Sequence, residues 1–275
     1  MKLKLSLILV CLLTLCSTLF AQNKTYGKMS YEKAINLAGK QRMLSQRIAK
    51  VKVLNSVGAS STNLKAELKS SITIFDRNIN ILGINAQAQS AKVKATIRQE
   101  ESEWKRFKML VEKPNPTVEE MVASAESLLM KCHAVVLAIE EESKFNKELA
   151  IESGMGQLKV ETINLSGKQR MLSQKLCLYY AACRAFKKGK NADQACVQYK
   201  NIYTAMNSVI NDLMISELNN SEIDLTLSLI LNTMDNEINS QRKQFIDNKV
   251  PLQKVVLTTN KLLELFNKLT SQYSI

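Results

Sequence analysis

The chain has 275 residues, 45% hydrophobic and 23% charged, with only 8 glycines and 3 prolines. That apolar content excludes a disordered chain, and so few Gly and Pro cannot supply the turns of a sandwich or barrel. An all-α fold remains, with room for one large core or two small ones. A formal charge of +13 raises the question of nucleic acid as a partner, and the N-terminal segment answers it.

Residues 1–21 read as a secretory signal: Lys2 and Lys4 form a positive start, Leu5 to Leu15 an apolar stretch, and Ser17 to Ala21 offers small residues before Gln22. Cleavage after Ala21 removes two lysines, so +11 of the +13 remains. The apolar stretch falls short of the roughly 20 residues that span a bilayer, and no later segment is expected to span one. Leu15 is too large for the small residue that precedes a lipidated cysteine, so Cys16 is not read as a lipid anchor. The expectation is a periplasmic or secreted protein, membrane-anchored if the signal is not cleaved. Export excludes chromosomal DNA and leaves anions, surfaces and other exported proteins.

Residues 22–152 form the first expected domain, with helices at about 29–57, 62–84, 88–112 and 117–150. They are separated by Gly58-Ala-Ser-Ser61, Gly83-Ile-Asn85 and Pro114-Asn-Pro116. Thr117 and Glu120 have capping-box spacing. The first helix carries Ile35-Asn-Leu-Ala-Gly-Lys-Gln-Arg-Met-Leu-Ser-Gln-Arg47. At 100° per residue, Leu37, Leu44, Ile48 and Val51 fall on one side and supply a core. The opposite side holds Ile35, Ala38, Gly39, Arg42, Ser45, Gln46 and Ala49, where a solvated face would carry Lys and Glu. His133, the only histidine, reads as a packed or surface residue, and Glu140-Glu-Glu142 as a solvated face.

Residues 153–275 form the second expected domain, with helices at about 157–187, 191–218, 221–248 and 251–273. Ile163-Asn-Leu-Ser-Gly-Lys-Gln-Arg-Met-Leu-Ser-Gln-Lys175 repeats the first motif at 11 of 13 positions, offset by 128. Leu165, Leu172 and Leu176 match the core side. Ile163, Ser166, Gly167, Arg170, Ser173 and Gln174 match the other. Two tandem up-down-up-down four-helix bundles follow. Cys183 and Cys196 lie almost symmetrically about the Lys187–Asn191 turn and could bridge two antiparallel helices. Alternatively Cys132, Cys177, Cys183 and Cys196 are all small buried hydrophobes. With one His and no Cys-x-x-Cys, no zinc site is expected, and without paired Glu-x-x-His motifs no di-iron site. No cofactor is expected either. The lack of a Gly-x-Ser-x-Gly or a phosphate-cradling loop leaves no catalytic residues to name, so the chain reads as a non-enzyme.

A glycine inside a helix costs roughly 1 kcal/mol, so its place in both motifs asks for a reason. Small residues let backbones approach, and the nearest partner for each motif helix is its twin. If Ser153-Gly-Met-Gly156 turns the chain, the two helices run parallel, and Arg42 meets Arg170 on the axis of an intrachain pseudo-dimer. If 140–185 is one continuous helix, the bundles stack end to end, and each needs a second chain to form a homodimer. Two guanidinium groups about 5 Å apart repel by roughly 3 kcal/mol, which a small planar anion would reverse. The other reading pairs each arginine with a carboxylate such as Glu32 or Glu161, merely fixing helix register.

The two motif segments resemble those of the PilJ/NarX-like sensory domain family, the extracytoplasmic four-helix module of type IV pilus chemotaxis transducers and of nitrate/nitrite sensor kinases. Two such modules would cover roughly 29–273. The resemblance implies ligand binding by Arg42 and Arg170 with backbone near Gly39 and Gly167, and Asn36, Asn164, Ser45, Ser173, Gln46 and Gln174 completing the motif. It further implies a small inorganic anion, nitrate or nitrite, as ligand. No output domain follows Ile275, so a membrane-bound signalling protein would have to report the ligand. Lys40-Gln41 is closer to the pilus-transducer branch. The competing expectation is a structural or interaction protein of the envelope, in which the motif only packs helices.

Overall fold

The computed structural model describes residues 25–59, 61–148, 155–186 and 189–274. Residues 1–21, where a signal is expected, lie outside the described residues, as do Ser153 and Gly154 of the expected interbundle turn and Lys188 of a later one.

Helices α1 (Tyr31–Ser56), α2 (Thr62–Asn85), α3 (Ala91–Glu112) and α4 (Val118–Glu148) make the first up-down-up-down bundle. Its starts are fixed locally. Ser30, Ser61 and Ser90 hydroxyls accept from the N–H groups of Lys33, Leu64 and Val93, and Thr117 and Glu120 exchange bonds as a capping box. The second bundle holds α5 (Met155–Ala185), α6 (Lys190–Met214), α7 (Ser221–Glu237), the short α8 (Arg242–Ile246) and α9 (Leu252–Tyr273). In each bundle the motif helix packs on the second and last helices, α1 on α2 and α4, and α5 on α6 and α9.

The most extensive helix pairing joins the bundles, α1 lying along α5. Arg42 reaches Asn164, Arg170 reaches Asn36, and Lys50 reaches Gln174, a register that only parallel helices allow. The chain therefore folds back on itself, and end-to-end stacking is not the arrangement found. Because each motif helix is covered by its own bundle on one side and by its twin on the other, polar Gln41, Ser45, Gln46, Gln169, Ser173 and Gln174 are all fully buried.

Three expectations need correction. The helix expected at 191–218 stops at Met214, because Asn219 turns its side-chain N–H groups onto the carbonyls of Leu213 and Met214. The helix expected at 221–248 breaks at Ile238, after which a 3₁₀ turn (Asn239–Gln241) leads into α8. Asn236, Asn239, Ser240 and Gln241 spend their side chains on local partners there, and Asn248, at a φ of 57°, ends the segment. Finally, Val118–Lys144 is long and apolar enough to cross a membrane by length and composition. In this fold its buried residues, among them Leu128, Val135 and Ile139, belong to the first bundle's core.

Cys183 of α5 and Cys196 of α6 form a disulfide, while Cys132 and Cys177 are free and buried. Cys183→Ser or Cys196→Ser should lower stability by about 3 kcal/mol, the loop-closure value for a short loop, measurable by urea unfolding. Glu100 of α3 is fully buried beside the Cys132 thiol, and burial pushes its carboxyl up to about 7. A carboxyl raised in the folded state stabilises below its unfolded value, so stability should fall as pH rises from about 4.5 to 7 and level off above. Glu100→Gln should flatten that slope and add about 2 kcal/mol at pH 8, read from urea midpoints across the range.

Candidate functional site

The centre of the α1–α5 contact is built from motif residues whose side chains either vanish or face inward. Gly39 and Gly167 leave the two backbones bare where the two arginines lie. A Cβ added at Gly39 would stand 3.3 Å from Nη2 of both Arg42 and Arg170. The two Nη2 atoms are therefore at most twice 3.3 Å, or 6.6 Å, apart. At Gly167 the same Cβ would stand 3.0 Å from Nη2 of Arg170 and 3.6 Å from that of Arg42. Both glycines thus lie against guanidinium groups, which would have to give way to a side chain there.

The remaining motif residues hold this geometry from behind. Ser45 and Ser173 hydroxyls each donate at 2.8 Å to the carbonyl of the arginine three residues earlier. Gln46 donates to the Ala125 carbonyl on α4, and Gln174 to that of Thr259 on α9, at 3.1 and 3.3 Å. Gln41 and Gln169 donate likewise to Phe75 and Met206. The four glutamines fix the rotation of each motif helix against its neighbours, whereas the two serines bond within their own helix. Asn36 and Asn164 do contact the guanidinium groups. Arg170 donates to the Asn36 carbonyl at 3.3 Å, while Arg42 donates to the Asn164 carbonyl at 3.4 Å and to its Oδ1 at 2.9 Å. The disulfide-forming Cys183 and Cys196 lie away from the pocket, between the far end of α5 and α6.

Both arginines are nearly inaccessible, at 2% and 3% exposed, and the Nε–H of each is buried without an acceptor. Among the described residues, no carboxylate forms an ion pair with either one, and Glu161 pairs with Lys144 at 3.3 Å. Burial, and then Arg42, lowers Arg170 to about 9. Burial lowers Arg42 to about 10, partly offset by Cys132 and Glu140. A guanidinium stays protonated at neutral pH, so both charges persist in this buried setting. Lys40 adds to the field: burial lowers it first, and Arg170, Arg77 and Arg47 lower it further.

Two residues of the pocket escaped the sequence reading. His133 is not merely packed, because its Nδ1 accepts from Arg42 Nη1 at 3.4 Å, which puts the ring proton on Nε2. Burial lowers its basicity, and Arg42 and Lys168 add to that. Glu140 is not on a solvated face. Its side chain is 12% exposed, accepts from Asn164 Nδ2 at 2.8 Å and pairs with Lys144 at 3.3 Å. The signal that could have found them is their seven-residue spacing on α4, which sets both on one helix face. At the equivalent point across the axis Asn36 donates to the Ser274 hydroxyl at 3.3 Å, so the carboxylate and imidazole stand on one side only.

An intrachain pair of parallel four-helix bundles with two buried, closely spaced guanidinium groups at its pseudo-twofold axis defines the class of helical module. Residues 30–129 match the PilJ family, type IV pili methyl-accepting chemotaxis transducer N-terminal domain. The match lies within the first bundle, which is similar to that transducer domain. The second is tied to it by the repeated motif and its repeated hydrogen bonds. No curated protein and no solved structure matches the chain.

Removing one of two like charges should relieve their repulsion, roughly 2 to 3 kcal/mol at this separation and an effective dielectric near 20. Arg170→Gln is expected to raise the unfolding midpoint in low-salt, anion-free buffer. Arg42→Gln should raise it less, since it also deprives Asn164 and His133 of their donor. Calorimetry of both variants measures the difference.

Proposed function

We propose that this protein is an exported sensory module that binds a small planar anion, nitrate or nitrite, between Arg42 and Arg170. The observation that carries the reading is the pair of buried guanidinium groups facing each other across bare glycine backbone with no ion-paired carboxylate. Such a pair is costly alone and favourable around a negative charge. The free Nε–H groups and the planar donor forks suit a flat oxyanion, and the small residues at 38–39 and 166–167 keep the space narrow. The family resemblance supports the same ligand class. The tandem bundles read as a duplication that places both halves of a dimeric site in one chain, so the module acts as a monomeric pseudo-dimer. Its place is the periplasm or cell exterior, delivered by the signal segment, and it reports the anion to a membrane-bound signalling protein. No catalysis, metal, cofactor or nucleic acid enters this reading.

The test is thermal unfolding with nitrate, nitrite, chloride and sulfate at matched ionic strength, on residues 22–275 and on the Arg42→Ala and Arg170→Ala variants. A ligand at a hundred times its dissociation constant stabilises by about 2.7 kcal/mol, a shift of several degrees in a chain this size. The expected result is a shift specific to nitrate or nitrite that both variants lose. Equal shifts with every anion, or none, would reduce the motif to a helix-packing device.

A further inference from the structure

Two turns beyond the arginine pocket the pseudo-symmetry breaks in a way that exposes a second site. Lys50 of α1 is fully buried, and its ammonium is surrounded by oxygens: Glu67 Oε1 at 2.6 Å, Gln174 Oε1 at 2.7 Å and Asn260 Oδ1 at 2.9 Å. Arg47 shares Glu67 at 2.9 Å, so two cations stand against one carboxylate.

The counterpart across the axis follows from equivalent bonds. Lys50 lies eight residues after Arg42, and Leu178 eight after Arg170. Gln174 corresponds to Gln46 in the motif. Thr259 and Ala125 accept from those two glutamines, so the next residues, Asn260 and Glu126, correspond. Phe75 and Met206 accept from Gln41 and Gln169, so Glu67 and Gln198, eight residues before each, correspond as well. The oxygens that would surround an ammonium are present again, but the lysine is not. Leu178 is fully buried and ends two atoms short of where a lysine places its nitrogen.

Two of those oxygens have been left without partners. Gln46 is fully buried, and its Oε1 accepts nothing. Its Nε2 makes the same bonds as that of Gln174, to the Ser45 hydroxyl at 3.4 Å and to a carbonyl on the last helix, so by the pseudo-symmetry its Oε1 faces Leu178 as that of Gln174 faces Lys50. Glu126 Oε1 is also buried without a hydrogen-bond partner, while its Oε2 takes Lys175 at 2.7 Å and the Tyr179 hydroxyl stands beside the carboxylate. Here one cation stands against one carboxylate, one positive charge fewer than around Lys50. From Glu126 a cleft of about 490 Å³ opens to the surface, lined among others by Glu119, Tyr179, Phe186 and Gln198. That volume is in the range of small-molecule sites.

We propose that this position binds the ammonium group of a small primary amine, whose carbon chain lies in the cleft against Tyr179 and Phe186. Three N–H donors meet Glu126, Gln46 and Gln198 as the Lys50 ammonium meets Glu67, Gln174 and Asn260. The proposal stands apart from the anion pocket and does not depend on it.

The probe is n-butylammonium, compared with tetramethylammonium, which has no N–H to donate, and with potassium at the same ionic strength. Thermal unfolding of the whole exported chain should shift upward by several degrees with n-butylammonium alone. Leu178→Lys supplies the missing ammonium from within, and should raise the midpoint without amine and abolish the shift. A nitrate titration of the same samples reports on the arginine pocket separately. Should Leu178→Lys fail to fold, Glu126→Gln serves in its place, and loss of the amine shift is the expected result. The proposal is overturned if n-butylammonium gives no shift, if tetramethylammonium matches it, or if the variant that folds still responds.

Discussion

Everything in this molecule is arranged around a repulsion. Arg42 and Arg170 bring like charges within at most 6.6 Å of each other in a place water does not reach, and no ion-paired carboxylate offsets them. Such a contact persists only if the surrounding fold imposes it. The imposition is visible in the bonds made by Gln41 and Gln46 and repeated by Gln169 and Gln174, which lock each motif helix to its own bundle. The two bundles share one continuous core and meet along the faces of smallest side chains. Packing supplies the energy and the arginines absorb part of it as strain, the condition under which a ligand can return it on binding.

Why the repeat was so readable, and the pocket's other residues less so, follows from the same division of labour. The motif residues act through one helix, so helical periodicity alone separates core from contact face, and the glycine in each copy already points to close approach. The capping box at Thr117 is equally local and equally plain. His133 and Glu140 act through the distance between α4 and the axis, and that distance is set by how the fourth helix leans on the first. A lone histidine and an acidic run look the same on paper whether they face solvent or a pocket. The breaks after Met214 and at Ile238 were hidden for another reason: they depend on asparagine and serine side chains competing for backbone groups, which periodicity does not register.

Joining two copies in one chain removes a constraint that a homodimer cannot escape. In a symmetric dimer every substitution occurs twice, and a charge added on one side of the axis is added on the other. Here each side has changed alone. Asn164 meets the Glu140 carboxylate where Asn36 meets the Ser274 hydroxyl. Arg42 has an imidazole beside it, whereas the position equivalent to His133, eight residues beyond the glutamine's acceptor, is Asn267. The result is one guanidinium with partial compensation and one with almost none.

The same freedom accounts for Lys50 facing Leu178. A buried ammonium with three oxygen partners stitches α1 to α5 and α9 on one flank, adding polar specificity to an interface otherwise made of small residues. A second lysine across the axis would have doubled the buried positive charge beside two arginines that already lack counter-ions. Replacing it by leucine lowers that charge, and the cost is a pair of stranded oxygens on Gln46 and Glu126. Buried acceptors without donors are uncommon because each forfeits about 1 to 3 kcal/mol of hydration. The second of the pair lies at the edge of an open cleft, where an external donor would recover that loss.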